Sequence, residues 1–433
     1  MTDPGFSLFR PTRRWALYLT TALAAVSLDA SANTPSQYYA DCVRGAWPTI
    51  DDAEKRAAAC SKALQSKALQ PDEVALARLT RGAARYALGE KLVAGEDYRQ
   101  ALQHYDAIID PRNPDALNLY RRGASYGGLG QTERALADYS QAIRLDPRRS
   151  LAFLDRGVLL AATARAYSRA IDDFNRVLEL EPDNVSALIA RGGAYSQLGS
   201  QGLAIADLNR AIALQPSASQ AFFHRATVRS RLGEMGSALQ DYDQAIRLNP
   251  ENTAALISRA GLLSSEGHFD EAIRDLDSAI EVQPESANAF YNRGYAYFSK
   301  GNYTKAIQDY SFAITLDPNM ASAYNNRCLA RAVAGRDLVR ALADCDTAHM
   351  LAPLSLDVHS TRGFVFLKLG DPELALYEYD TVLQLDPNRA AALYGKGLAL
   401  IAIGKAAEGK HEQAAALVLD PEAADFFARY GLK

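Results

Sequence analysis

Apolar and small residues run along most of this chain in stretches of about fourteen, at the three- and four-residue spacing of an amphipathic helix, and the stretches come in pairs. In YNRGYAYFSKGNYTKAIQDY (residues 291–310) the helical pattern is interrupted once, at Gly301. Comparable glycines stand at 130, 199, 233, 267, 370 and 404. Prolines close phrases such as IRLDP, IEVQP and LQLDP at 147, 182, 216, 250, 284, 318, 353, 387 and 421. Their spacings are 35, 34, 34, 34, 34, 35, 34 and 34 residues. A proline cannot donate a hydrogen bond to the preceding turn, so each marks a helix stop. With a glycine turn midway, the period predicts two antiparallel helices per unit and an all-α chain.

Numbering each unit so that Pro318 is position 32 shows which residues the period keeps. Position 8 is glycine at 82, 123, 157, 192, 294, 363 and 397, alanine at 226 and 260, and Cys328. Position 20 is alanine in nine units, from Ala94 to Ala375, and Gly409 in the last. Small residues at both places let the two helices approach closely, which must offset the roughly 1 kcal/mol of helix propensity that each glycine costs. Tyr297 at position 11, Tyr310 at 24 and Ala313 at 27 complete the set. It resembles the tetratricopeptide repeat. That resemblance implies a right-handed superhelical solenoid of about ten helix-turn-helix units over residues 75–421, since one unit cannot bury its apolar face and a stack can. An N-terminal helical hairpin (33–74) should precede the array and a C-terminal capping helix (422–433) should close it, with Phe427 at position 4 and Gly431 at 8 of a truncated next unit. The two 35-residue spacings place one extra residue in the turns near TARAY (163–167) and GRDLV (335–339).

Charge follows the same register. Position 7 is arginine in nine units and Lys396 in the tenth; position 23 is aspartate in eight, then Glu378 and Glu412. Arg259 with Asp275, Arg293 with Asp309, and Lys396 with Glu412 are therefore expected to pair. If positions 8 and 20 face each other, positions 7 and 23 are offset by about 3 Å along the axis, within an arginine's reach. Contact with the neighbouring unit is equally compatible with the spacing. Each cation brings its own anion, so the ladder reads as structure holding helix register, not as a reader of acidic ligands.

The first 32 residues differ from the rest. Arg10, Arg13 and Arg14 precede the apolar run WALYLTTALAAVSL, and Ala30-Ser31-Ala32 follows it, the order of a Sec-type signal peptide cleaved after Ala32. The run is short for a bilayer span, and left uncleaved it would be the chain's one membrane contact. The adjacent Arg13 and Arg14 also fit twin-arginine export. Removing a segment of net charge +1 takes the chain from −4 to −5, and the mature protein is expected in the periplasm or secreted. Export makes disulfides possible for the four cysteines, with three connectivities. The local pairs are Cys42 with Cys60 and Cys328 with Cys345; the second pair holds positions 8 and 24, about one turn apart along the seam and near the limit a disulfide spans. The other reading is four small core thiols.

No catalytic, cofactor or metal constellation emerges. GASYG (123–127) has the spacing of a nucleophile elbow but lies in a repeat helix, not between strand and helix. HEQAA (411–415) lacks the second histidine of a zinc-protease helix, and the six histidines are scattered. The family resemblance implies that first helices line a concave face and that positions 2, 5, 9, 12 and 13 meet ligands. Here these are Phe223, Thr227 and Arg231, then Ile257 and Gly261, then Asn288, Tyr291, Tyr295 and Phe298, then Asn325 and Leu329. This aromatic, largely uncharged set suits an extended peptide or a helix. It lacks the basic clamp for a terminal carboxylate that chaperone-docking members carry. The expected function is a non-catalytic scaffold binding a protein or peptide. An enzyme with a site in residues 33–74 and an RNA-reading helical repeat are the alternatives. A pI near 5.9 opposes the second, because nucleic acid asks for a basic face. The NRC…ALADC stretch and the ARYG ending also resemble exported bacterial members of the family.

Overall fold

The computed structural model describes residues 35–43, 50–163, 165–335 and 337–432. The leader and its cleavage point lie outside these residues. Among the described residues all regular structure is helical, in two compact units divided at Asn249/Pro250.

Unit one contains α1 (Pro35–Val43) and α2 (Ile50–Gln65), then five hairpins. These are α3 (Pro71–Ala87) with α4 (Lys91–Ile108), α5 (Ala116–Gly128) with α6 (Thr132–Leu145), α7 (Ser150–Thr163) with α8 (Tyr167–Leu180), α9 (Val185–Gln197) with α10 (Gln201–Leu214), and α11 (Ser219–Arg231) with α12 (Met235–Leu248). Unit two pairs α13 (Thr253–Ser265) with α14 (Phe269–Val282), α15 (Ala287–Ser299) with α16 (Tyr303–Leu316), α17 (Ala321–Val333) with α18 (Leu338–Leu351), α19 (Leu356–Leu369) with α20 (Pro372–Leu385), and α21 (Ala390–Ala402) with α22 (Ala406–Leu419); α23 (Ala423–Arg429) follows. Within each unit, successive helices pack on one another.

Local chemistry sets the element ends. Gly301 turns the chain between α15 and α16 at φ 76°, a left-handed conformation that costs glycine nothing. The two longer units carry their extra residue where the spacing places it, and there the chain uses Arg165 at φ 48° and Asp337 at φ 57°. Several first helices begin on side-chain caps: Asn184 accepts from Ala187 N–H, Asn252 from Ala255 and Ser286 from Ala289.

The seam of each hairpin is the core. The position-20 alanines from Ala94 to Ala375 are fully buried, as are Tyr139, Phe174 and Leu208 at position 24. A Cβ built on Gly294 would stand 2.9 Å from the Tyr310 ring and 3.3 Å from the Ala306 carbonyl oxygen. Glycine at 8 therefore accommodates the ring at 24 as well as the backbone at 20. The two helices are level nearer to 8 with 24 than the sequence reading assumed. Cys328 and Cys345 hold these two positions with Cα atoms only 5.5 Å apart, comfortably inside the disulfide range. Their sulfurs stand 2.15 Å apart, and those of Cys42 and Cys60 stand 2.14 Å apart.

Candidate functional site

Within each unit, position-7 arginines act as three-way staples. Arg293 on α15 donates from Nε and Nη2 to the two carboxylate oxygens of Asp309 on α16, both at 2.8 Å, and from Nη1 to Asp277 on α14 at 2.6 Å. Arg259 grips Asp275 in the same bidentate way, at 2.7 and 2.6 Å. The tenth unit keeps the arrangement with a lysine: Lys396 Nζ lies 3.1 Å from Glu412 and 3.0 Å from Asp380. The partner at 23 is thus in the same unit, and a second contact reaches the preceding hairpin. That second acceptor was missed by the sequence reading. It sits sixteen residues before the cation, as Ser140 for Arg156, Asn175 for Arg191, Asn209 for Arg225 and Ser311 for Arg327. The signal was available, because short polar residues recur at position 25. Hydrogen bonding to Asp309 raises the Arg293 guanidinium above its ordinary pKa, so this cation is committed to its carboxylate. Glu378 replaces aspartate where a longer acid is needed: it bonds Arg362 and also lies 2.6 Å from Nδ1 of buried His359.

The proposed ligand face is shallower than positional transfer implies. In unit one, Phe223 is 7 % exposed and packs on Tyr242, with ring centroids 6.2 Å apart. The Thr227 hydroxyl donates to the Phe223 carbonyl at 3.0 Å, and Arg231 donates to the carbonyl and hydroxyl oxygens of Ser196, both at 3.1 Å. Phe223 and Arg231 thus join adjacent helices, while the Thr227 hydroxyl bonds its own helix. In unit two, Tyr291 lies against Tyr310 and its hydroxyl accepts from Asn326 at 3.1 Å; burial raises its pKa. Asn325 is buried too, with Oδ1 unpartnered. Phe298 is half-buried beside Tyr303, at 5.4 Å. Asn288 is exposed, and Tyr295 is 45 % exposed. Register thus places these residues on the first helices but not at one depth: Phe223 and Asn325 are buried packing residues, Tyr291 is half-buried against Tyr310, and Asn288 and Tyr295 face solvent.

Ser125 of the elbow-like sequence is buried on α5 and donates to the Arg121 carbonyl, as a helix hydroxyl does. Among the described residues there is no group of three or more His, Cys, Asp or Glu able to hold a metal ion. None of the described helices is long and apolar enough to cross a membrane.

Family models described as tetratricopeptide repeat match residues 116–149, 160–219, 219–252, 287–320 and 361–424, and one described as TPR repeat matches 262–301. The chain belongs to the tetratricopeptide repeat family. Small glutamine-rich tetratricopeptide repeat-containing protein 2 of Mycosarcoma maydis is 34% identical over 98 residues, 23% of this chain and 28% of that protein. DnaJ homolog subfamily C member 3 of Gallus gallus is 32% identical over 97 residues, 22% of this chain and 19% of the other. The matched segment thus spans less than a third of either relative. Among solved structures, the APC/C hetero-tetramer Cut9-Hcn1 aligns with 88% of this chain and 90% of its own at TM-score 0.50 and 15% identity, a likeness of fold. A tetratricopeptide repeat protein from Parabacteroides merdae aligns with 60% of this chain and 98% of its own, at TM-score 0.44 and 22% identity. Tetratricopeptide repeats of this kind make the protein a protein-protein interaction scaffold.

Proposed function

We propose that this scaffold is exported and non-catalytic, and that it holds a peptide or short helix of a partner protein on the first-helix face of unit two. The observation that carries the reading is Tyr295, nearly half exposed on α15 beside exposed Asn288 and half-buried Phe298. A solvent-facing tyrosine offers apolar area with a polar end, the type of anchor that dominates peptide interfaces. The arginine of the same helix is neutralised by Asp309 and Asp277, so the face asks for apolar and amide contacts rather than an acidic or phosphate-bearing ligand. Export is supported by the charged, apolar, small-residue order of the leader and by two cysteine pairs that adjacent helices bring together, with Cα atoms 4.6 and 5.5 Å apart, as suits an oxidising compartment.

Crosslinking capture from the exported fraction tests both parts. The native chain is compared with an Asn288→Ala, Tyr295→Ala, Phe298→Ala variant of equal helicity, and the mature N-terminus is sequenced. The expected result is a start at Asn33 and a partner lost from the variant. Retention of Met1 in the cytosolic fraction would overturn export, and an undiminished partner would overturn the location.

A further inference from the structure

The C-terminal segment covers the last hairpin with buried Phe427, but it packs differently from a regular first helix. A regular next first helix lies mainly on the preceding second helix; α23 instead leans on α21 more than on α22. From there residues 423–432 turn back across first-helix positions of earlier hairpins. Phe427 stacks on Tyr394, position 5 of its unit, with centroids 5.4 Å apart. Phe364, at position 9 of α19, meets Phe426 at 5.0 Å, and Phe427 and Tyr430 at 6.2 Å each. Lys368, at position 13 of the same helix, donates to the Tyr430 carbonyl oxygen at 2.8 Å. The Tyr430 hydroxyl reaches that of Tyr303 at 3.0 Å, and Tyr303 is the ring against which Phe298 rests. Positions 5, 9 and 13 are those the family resemblance assigns to ligands, so the tail ends against the proposed partner face.

We propose that residues 423–432 are an internal ligand of unit two, and that this end of the face takes in their place a partner segment of the same chemistry: a short helix with aromatic residues at i, i+1 and i+4. The inference rests on the first-helix face being the binding face. The occupant is seen in place, its contacts are ring-against-ring packing, one hydrogen bond between tyrosine hydroxyls and one ammonium on a helix-terminal carbonyl, and all of these a peptide in trans can reproduce. The seven residues of α23 are too few for an independent helix, so contacts with the body hold it. Phe426 remains 36 % exposed while its neighbour Phe427 is buried, so the engagement of the segment is uneven. A tethered ligand has an effective concentration in the millimolar range, so even a weak contact fills the site until a partner competes.

The test uses a fluorescein-labelled peptide of residues 421–433, PEAADFFARYGLK, with the full chain in every arm. Fluorescence anisotropy compares the native protein with a Phe426→Ala, Tyr430→Ala variant, whose tail is weakened. Binding is expected to be at least about ten-fold tighter to the variant, as relief from intramolecular competition requires. Adding Tyr303→Ala and Lys368→Ala should abolish that gain. Equal affinity for the native chain and the tail variant, at unchanged helicity, would overturn the proposal. Should the variant unfold, hydrogen exchange of residues 423–432 in the native chain decides: excess peptide should accelerate it, and unaltered exchange in saturating peptide refutes displacement. If the peptide fails while the Tyr295-dependent partner is still captured, the tail proposal falls and the face keeps its function. Loss of the Tyr295 dependence removes the face itself.

Discussion

Arg293 touches three helices, and that explains why a cation survives among packed residues in every unit. Removing it frees the buried Asp309 carboxylate, and removing Asp309 leaves the guanidinium half-buried. A double-mutant cycle with Arg293→Ala and Asp309→Ala, read by urea denaturation, should give a coupling energy of about 1–3 kcal/mol; a value near zero would remove the pairing. The pair was legible in the sequence because both partners keep one register. The acceptor at position 25 was less so, since serine, asparagine and aspartate alternate there and their shared chemistry is acceptance, not charge. Asp155 was not legible at all. It is buried on α7, takes one hydrogen bond from Tyr120 at 2.8 Å, and leaves Oδ1 unpartnered. Burial pushes its pKa up to about 8, far above an ordinary aspartate. The folded chain therefore holds a proton that the unfolded chain has already lost. Stability from this group is complete below the unfolded pKa and declines as pH rises through the folded one. Asp155→Asn should stabilise the protein at neutral pH and flatten its stability profile between pH 5 and 8; parallel profiles for the two proteins would contradict the buried-acid assignment.

At the scale of the hairpin, one small residue against one ring decides how close the helices come. Gly294→Ala would gain helix propensity yet force a Cβ to 2.9 Å from Tyr310, so a loss of about 1–3 kcal/mol is expected. Gly202, in α10 with nothing within 4 Å of an added Cβ, supplies the control. Gly202→Ala should stabilise by about 0.5–1 kcal/mol on propensity alone. Thermal melts of the two single variants should move in opposite directions, and a shared direction would mean that packing at the seam does not set the helix approach. Another arrangement of the same seam is Cys328 with Cys345. Closing a loop of this length should contribute about 3 kcal/mol, so a reductant is expected to lower the urea midpoint of the native chain and leave a four-serine variant unmoved. Element type and turn positions were readable because prolines and glycines punctuate them. The close level of positions 8 and 24 was not, because sequence spacing says which faces meet but not how far one helix slides along the other.

For the whole molecule, the repeat period points to the family, and the family supports a scaffold role. What it leaves open is which part of each unit meets a partner. Ligand positions transferred by register include core residues such as Phe223 and Asn325 alongside exposed Tyr295, because depth depends on what the neighbouring helix places opposite. The returning tail was hidden for a related reason: PEAADFFARYGLK keeps the phase of a next unit, and phase alone predicts a cap. Its placement rests on tertiary contacts with Phe364, Lys368 and Tyr303, more than fifty residues away in sequence. The most direct measurement installs a photo-crosslinking benzoylphenylalanine in place of Tyr295 and, in a second protein, in place of Tyr377, which is 67 % exposed on the second helix α20. Irradiation in the native compartment should give a partner adduct from position 295 that excess tail peptide suppresses, and none from 377. An adduct from 377 alone would place the interaction on the second-helix side and contradict the assignment of function to the first-helix face.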